Sequence, residues 1–364
     1  MIINFFYLRW LVLLLLLNTV FFSSVKSQNL IAYYMGNANQ VKQYPVNELT
    51  HIIFSFCHLK GNALNVSSRR DSLTIQRLVR LKKKNPSLKV ILSLGGWGGC
   101  ETCSDVFSSD SGRLEFSRSV MKMTEYFKTD GLDLDWEFPS LAGYPNHPFR
   151  TADMQNFILL VRAIRQSIGS AKEISVILAG FSPNLKRTLD ISGIIPYVDR
   201  IHLMTYDLIG SSAKFTGHFS SIYPNAWQDV SADFALRYLD SLQIPHNKIC
   251  IGFAFYGRQY RVLENHDHGL HQPAEFDRFV TMRKIRKDCT EGKGYRNYWD
   301  ETAMASYKYN DGQKLFITYD DERSAAAKTA YIKEKKLNGI FLWELRQDRP
   351  RQGLLSALYQ GLGH

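Results

Sequence analysis

Residues 130–137 read Asp-Gly-Leu-Asp-Leu-Asp-Trp-Glu, and this stretch decides how the rest of the chain is interpreted. Acidic and apolar residues alternate along it, which is typical of a β-strand with two different faces. Asp133, Asp135 and Glu137 share one face, at intervals of about 6.6–6.8 Å along the backbone. Like charges at this spacing repel each other. We therefore expect at least one of the three carboxyl groups to hold a proton near neutral pH.

Phe138 and Pro139 end this predicted strand, because proline has no N–H to donate to a neighbouring strand. Glu137 is therefore expected at the C-terminal end of the strand. A solvated edge strand could also alternate acidic and apolar residues, but it would need neither Gly131 nor Trp136. It would also leave unexplained why three acids occur without a basic residue among them. We therefore interpret the stretch as a functional row of carboxylates.

Outside this stretch, apolar and β-branched runs alternate with amphipathic segments. The helical segments are 71–84, 112–128, 151–168, 230–243 and 323–337. Strands that alternate with helices indicate a parallel sheet, and eight of them fit a closed (β/α)8 TIM barrel. An open doubly wound sheet is the alternative, but no glycine-rich nucleotide motif follows the first run. The predicted strands are Leu30–Tyr34, His51–Phe56, Val90–Leu94, Leu132–Glu137, Ile174–Ala179, Arg200–Tyr206, Lys248–Phe255 and Gly339–Trp343.

The longest gap between predicted strands, from Arg258 to Gly339, is too long for one crossover helix. We therefore predict an insertion at about residues 261–319, between the seventh strand and its helix. In a barrel of this kind the active site forms at the C-terminal ends of the strands, and those ends here carry polar and aromatic residues.

Residues 130–137 have the form D-G-x-D-x-D-x-E, which resembles the catalytic signature of glycoside hydrolase family 18, the retaining chitinases. Ser93 to Gly96 is similar to the family pattern S-x-G-G, and Met204 to Asp207 is similar to M-x-Y-D. Phe138 stands where tyrosine is commoner in the family, which does not affect the carboxylate row. The resemblance covers nearly the whole chain after residue 27. It implies a (β/α)8 barrel with a small α+β insertion that deepens the cleft, near whose inner face residues 298–300 are expected.

The resemblance also implies a substrate-assisted mechanism, in which the acetamido oxygen of the substrate attacks the anomeric carbon. Glu137 would donate the proton to the leaving oxygen and later act as general base. Asp135 would accept the acetamide N–H, Asp133 would share a proton with Asp135, and Tyr206 would donate to the acetamide oxygen. Trp343 would form an apolar floor for the sugar. No metal ion or organic cofactor is implied, and the remaining substrate-binding residues would be Tyr33, Phe56, Trp97, Met204, Asp207 and Arg258.

The expected activity is hydrolysis of β-1,4-linked N-acetylglucosamine polymers by a secreted, monomeric chitinase, with chitin or chito-oligosaccharides as partners. Two alternatives use the same fold. An endo-β-N-acetylglucosaminidase that trims N-glycans can have the same carboxylate row. A chitin-binding lectin commonly lacks the last acid of the row, so the presence of Glu137 argues against it.

The N-terminal residues 1–27 resemble a signal peptide, with Arg9 before an apolar run and small residues after it. We expect cleavage before Gln28, a catalytic domain of residues 28–364 outside the cell, and no stable membrane association afterwards. A retained signal anchor is the alternative, because residues 2–7 are also mostly apolar.

The net charge is +11, but no compact Lys/Arg run is interleaved with aromatic residues, and nucleic-acid binding is therefore not expected. Cys100 and Cys103 are separated by two residues in the loop after the third strand. A local disulfide is favoured over a redox pair or half of a zinc site, because the chain is expected to be secreted and no second ligand pair follows. Asn65-Val66-Ser67 is a glycosylation sequence in a predicted turn after the second strand.

Overall fold

The computed structural model describes residues 28–180 and 191–363, so the expected signal peptide lies outside the described residues. Eight parallel strands form a closed barrel, in which the first strand pairs with both the second and the eighth. This confirms the predicted (β/α)8 fold. The strands, numbered here in chain order, are Asn29–Tyr34, His51–Lys60, Lys89–Gly95, Gly131–Asp135, Glu173–Ala179, Arg200–Met204, Ile249–Ala254 and Gly339–Trp343.

Three of these strands differ by two or more residues at their C-terminal ends from the prediction. The second strand continues to Lys60 and forms a hairpin with Ala63–Asn65, so Asn65 lies in a short strand and not in a turn. The fourth strand ends at Asp135, because its partner strand ends at Gly95, which pairs with Asp135. Glu137 therefore follows the strand and does not belong to it. The sixth strand likewise ends before Tyr206.

Helices cover the outside of the barrel, and their ends follow local capping rules. The helix Asp110–Phe127 begins where the Ser109 hydroxyl accepts a hydrogen bond from the Gly112 N–H at 3.0 Å. It ends at Lys128, which adopts a left-handed conformation. The other helices are Arg69–Arg80, Cys103–Phe107, Asp153–Ile168, Ile191–Ile194, Ala232–Ser241, Met282–Asp288, Glu322–Glu334 and Leu354–Leu362. Short 3-10 helices span Gln40–Gln43, Val46–Glu48, Leu81–Lys83, His246–Lys248, Asp267–Gly269, Glu291–Lys293 and Leu345–Gln347.

An antiparallel sheet of five strands lies between the seventh barrel strand and the helix Glu322–Glu334. Its first strand begins at Tyr256, directly after the barrel strand and ahead of the expected start at residue 261. The sheet has its own apolar cluster, centred on Tyr260, Tyr309 and Phe316. In spatial order its strands are Ala274–Thr281, Tyr256–Val262, Leu315–Tyr319, Ala305–Asn310 and Tyr295–Asp300.

A buried ion pair connects the end of this insertion to the barrel. Lys328 Nζ lies 2.7 Å from Asp320 Oδ2, and both side chains are fully buried. The same Asp320 oxygen accepts a hydrogen bond from Ser220 at 2.9 Å. Because buried charges are stable only when paired, this contact fixes the helix Glu322–Glu334 against the insertion.

Cys100 and Cys103 form a disulfide in the structure, as their spacing predicts. Cys57, Cys250 and Cys289 are buried free thiols. Within the described ranges, none of the helices combines the length and the apolar composition that crossing a membrane requires.

Candidate active site

The fourth barrel strand directs its acidic and apolar residues to opposite sides, as the alternation predicts. Trp136 packs against Phe107 and Phe157 of the surrounding helices, with ring centroids 5.6 and 6.1 Å away. Asp133 and Asp135 are buried on the other side, toward the barrel interior. Helix packing on one face of the strand therefore fixes the carboxylates on the other face.

Asp133 is fully buried and accepts hydrogen bonds from three hydroxyl groups. Tyr33 and Ser93 donate to its Oδ2 at 3.0 and 2.7 Å, and Ser175 donates to its Oδ1 at 2.6 Å. Ser93 and Ser175 are the register partners of Asp133 on the two neighbouring strands. These three hydroxyl groups hold the Asp133 side chain in place, and the proton expected to be shared between Asp133 and Asp135 stays a prediction.

His202 completes this buried group from the sixth strand. Its Nδ1 lies 2.8 Å from the Tyr33 hydroxyl and 3.5 Å from Asp133 Oδ1. Burial lowers the pKa of His202, which keeps the ring neutral near pH 7.

Asp135 has an oxygen that no other described residue satisfies. Its Oδ1 is buried and has no hydrogen-bond partner in the part of the chain that the structure describes, although the side chain lines a cleft. Burial, the charge of Glu137 and then the charge of Asp133 raise the pKa of Asp135 well above its usual value. A buried oxygen of this kind is suited to a hydrogen-bond partner that arrives with a ligand.

Glu137 is partly buried at the cleft wall. Burial, followed by the negative charge of Asp207, raises the pKa of Glu137 to about 8. A carboxyl group with this pKa is mostly protonated at neutral pH, which suits a general acid.

Two neighbours of Glu137 come from the loop after the sixth strand. Asp207 accepts hydrogen bonds from Arg258 Nε at 3.0 Å and lies 2.8 Å from Arg258 NH2. Burial raises the pKa of Tyr206 well above its usual value, and the charge of Asp135 adds to the increase. Tyr206 therefore keeps its hydroxyl proton and can donate a hydrogen bond.

A cleft of about 1230 Å³ brings most of the predicted site residues together. Trp343 stacks on Phe56 at 5.6 Å, and a second cavity of about 710 Å³ continues past Phe56. Trp97 and Trp343 line both cavities. Asp133 is fully buried and lines neither of these two cavities. The predicted residues lining the larger cleft are Tyr33, Trp97, Asp135, Glu137, Met204, Tyr206, Asp207, Arg258 and Trp343.

Two glycines at the C-terminal end of the third strand, Gly95 and Gly96, allow these groups to come together. A side chain at Gly95 would meet the Asp135 carbonyl oxygen at 2.2 Å, and one at Gly96 would meet the Phe56 ring at 2.3 Å. Both residues also have positive φ, which other residues rarely adopt. Glycine at both positions therefore leaves the space that the Asp135 backbone and the Phe56 ring occupy.

Sequence reasoning missed several residues of the site. Ser175 and His202 sit on predicted strands, and alignment with Asp133 across the barrel could have identified Ser175. Trp227 and Phe279 line the cleft and are 77% and 57% exposed, but each lies in a segment without a recognisable motif.

Residues 298–300 are not among the residues that line the cleft, and their expected position near the inner face of the insertion stays a prediction. Tyr256, Arg258, Phe279 and Thr281 of the insertion line the cleft instead. Residues 298–300 lie in the edge strand of the sheet, farthest in strand order from Ala274–Thr281.

Comparisons with known proteins give a consistent result. The sequence model of glycosyl hydrolases family 18 matches residues 29–348. Chitinase A1 of Niallia circulans is 33% identical over 299 residues, which cover 76% of this chain and 43% of that protein. Chitotriosidase-1 of Mus musculus is 30% identical over 326 residues, covering 83% of this chain and 68% of that protein.

A solved structure is similar along almost the whole chain. It is a family 18 N-acetylglucosaminidase from Paenibacillus barengoltzii, with 29% identity and a TM-score of 0.83. The match covers 92% of this chain and 99% of that structure.

Proposed function

The chain belongs to glycosyl hydrolase family 18, and we propose that it is a chitinase that cleaves β-1,4-linked N-acetylglucosamine chains by a retaining, substrate-assisted mechanism. The observation that carries this proposal is the buried Asp135 Oδ1, which lacks a hydrogen-bond partner among the described residues. It belongs to a side chain that lines the same cleft as the protonated Glu137. An acetamide N–H of the substrate would satisfy this oxygen.

In the first step Glu137 transfers its proton to the glycosidic oxygen, and the bond from that oxygen to the anomeric carbon breaks. The acetamido oxygen of the same sugar forms a bond to the anomeric carbon, which gives an oxazolinium ion. Asp135 accepts the acetamide N–H and its charge offsets the positive charge that develops on this ion. The Tyr206 hydroxyl keeps its proton and donates a hydrogen bond to the acetamide oxygen, which orients this oxygen for the attack.

In the second step a water molecule attacks the anomeric carbon, and the bond to the acetamido oxygen breaks. Glu137, now ionised, removes a proton from this water, which restores its acid form. Two displacements at the same carbon retain its configuration. The charge of Asp133 opposes the ionisation of Asp135 before reaction and offers a partner for its proton when the oxazolinium ion forms.

The aromatic lining supports a chain of several sugars as substrate. Trp343 provides a flat apolar surface beside Glu137, and Trp97 extends that surface into the second cavity. Trp227 and Phe279 line the same cleft and are largely exposed. Stacking on aromatic rings is the usual way in which a site binds the apolar face of a sugar.

Two other substrates remain candidates. The Paenibacillus barengoltzii neighbour is named as an N-acetylglucosaminidase, which favours removal of N-acetylglucosamine as a second candidate activity. Trimming of N-glycans by an endo-β-N-acetylglucosaminidase uses the same carboxylate row. A lectin is disfavoured, because Glu137 is present and its pKa suits an acid catalyst.

The direct test is to assay the purified protein side by side on chito-oligosaccharides, colloidal chitin and a high-mannose glycoprotein, with separation of the products. Oligosaccharide products from chitin support the proposal. Exclusive release of N-acetylglucosamine supports the second candidate, and activity on the glycoprotein alone would contradict the chitinase assignment.

We also propose that the protein is secreted, monomeric and glycosylated at Asn65. Residues 1–27 would direct secretion, with the mature chain starting near Gln28. N-terminal sequencing, mass spectrometry before and after deglycosylation, and light scattering measure these three properties. A membrane-bound form that retains Met1 would support the signal-anchor alternative.

A further inference from the structure

A second polar cluster lies apart from the carboxylate row, where the insertion meets the loop after the sixth strand. His218 and Asn225 belong to that loop, and His271 and Asp300 belong to the insertion. One ligand atom from each of His218, His271 and Asp300 can be chosen so that all three lie within 4.8 Å of one another. His218 is fully buried, whereas His271 and Asp300 are partly buried.

The two carboxylate oxygens of Asp300 have different partners. Oδ1 accepts the backbone N–H groups of Thr302 and Ala303 at 2.8 and 3.0 Å. Oδ2 faces the cluster and lies 2.9 Å from His218 Nε2. The backbone therefore holds the carboxylate in place while Oδ2 remains directed at the histidines.

Asn225 contacts two of the three residues of the cluster, His271 and Asp300. Its Nδ2 lies 3.2 Å from His271 Nε2 and 3.1 Å from Asp300 Oδ2, so the lone pairs of two acceptors converge on one amide group. Its Oδ1 accepts the backbone N–H groups of Trp227 and Gln228, which fixes the orientation of the amide.

We propose that His218, His271 and Asp300 form a Zn²⁺ site. The Asn225 amide group competes with the metal ion for two of these ligands, His271 and Asp300. Two imidazoles and one carboxylate are a ligand set that zinc accepts, with a water molecule in the fourth position. Zinc takes these ligands at about 2.0–2.2 Å, so the Asn225 side chain has to turn away and the three groups close in on the ion. The site plays no part in the glycosidase chemistry and does not depend on the proposed function.

Binding of a metal ion at this site would affect the cleft through Trp227. The Trp227 ring stacks on the His271 ring, with centroids 5.6 Å apart and planes inclined by 18°. Trp227 also lines the large cleft. A metal ion that holds His271 would join the loop to the insertion and fix the surface on which Trp227 rests.

The first measurement is calorimetric titration of the intact protein, treated with a chelator, with Zn²⁺ alone. We expect one ion per chain. His271→Gln and Asp300→Asn should each weaken binding by about tenfold or more, because each removes a ligand. His266→Gln is the matched control, since His266 is exposed on the same insertion and is not part of the cluster. It should bind Zn²⁺ as the parent does.

Asn225→Asp provides a test that gains function. The new carboxylate would repel Asp300 without metal and become a fourth ligand with metal. We expect a lower Tm than the parent in chelator, a larger rise in Tm on addition of Zn²⁺, and at least about tenfold tighter binding. This variant also keeps the test valid if the ligand-removing variants fail to fold.

Co²⁺ reports on the position of the site. Because the cluster lies beside the Trp227 ring, bound Co²⁺ should quench a larger part of the tryptophan fluorescence in the parent than in Trp227→Phe. The proposal is overturned if the parent binds no Zn²⁺, if Asp300→Asn and His271→Gln bind it as the parent does, or if Asn225→Asp does not tighten binding.

Discussion

Glu137→Gln tests the central assignment of the active site. Glutamine keeps the shape and the hydrogen bonding of the side chain but has no proton to transfer at any useful pH. With a pKa of about 8, Glu137 is about 90% protonated at pH 7. At the ordinary value of 4.5, about 0.3% would be protonated, so the environment raises the fraction of acid-competent enzyme about 300-fold.

The expected loss of kcat is at least about 10⁴-fold, since general acid catalysis contributes about 10²–10⁴-fold and the same residue acts again as base. Binding of a chito-oligosaccharide should survive, because Trp343 and Trp97 are unchanged. The assay combines steady-state hydrolysis with calorimetric binding. Glu125→Gln, on the exposed face of the helix Asp110–Phe127, is the matched control and should behave as the parent. A Glu137→Gln protein with near-parental turnover would remove Glu137 from its proposed role.

The pH dependence of kcat/KM follows from the same raised pKa, because the acid form of Glu137 is required. We expect kcat/KM to fall as the pH rises through about 8, and a flat profile up to pH 9 would contradict this. Asp207→Asn should move that decrease to lower pH, because the Asp207 charge is one cause of the raised pKa, and an unchanged midpoint would exclude this cause. Oligosaccharides deacetylated at the sugar before the scissile bond should resist cleavage, because the acetamido oxygen that attacks the anomeric carbon is then missing, whereas cleavage as fast as that of acetylated chains would refute substrate assistance. Lys328→Met should lower the free energy of unfolding by about 3–5 kcal/mol in urea, because Asp320 is left buried and unpaired.

Lys333→Met is the control for Lys328→Met. Lys333 lies on the same helix but is exposed, so its substitution should change the free energy of unfolding by less than about 0.5 kcal/mol. Equal effects of both substitutions would mean that the buried ion pair is not what stabilises this helix.

Much of the fold could be predicted because the barrel strands are apolar runs between amphipathic helices. The eighth strand, Gly339–Trp343, has the predicted bounds, and the seventh differs by one residue at each end. The carboxylate row could be predicted because period-two alternation places acids on one face whatever surrounds the strand. The residue at which the fourth strand ends could not be predicted, because it depends on where the neighbouring third strand ends.

The remaining features of the site depend on contacts between distant segments. Ser175 and His202 join Asp133 only through the register of the barrel, which a single strand does not encode. Trp227 reaches the cleft because its loop is held against the insertion by Asn225. The sequence also carries no signal for the cis peptide bonds that follow Ser55, Glu137 and Trp343, since residues other than proline are almost always preceded by trans bonds.

The insertion sheet has a consequence for how such a cleft can change over evolution. Two of its strands supply residues to the wall of the cleft, among them Phe279 and Thr281. Substitutions at these two positions would change the lining of the cleft without altering Asp133, Asp135 or Glu137, which belong to the fourth barrel strand and the residues directly after it. The lining of the cleft can therefore evolve separately from the carboxylate row, as two modules of one polypeptide.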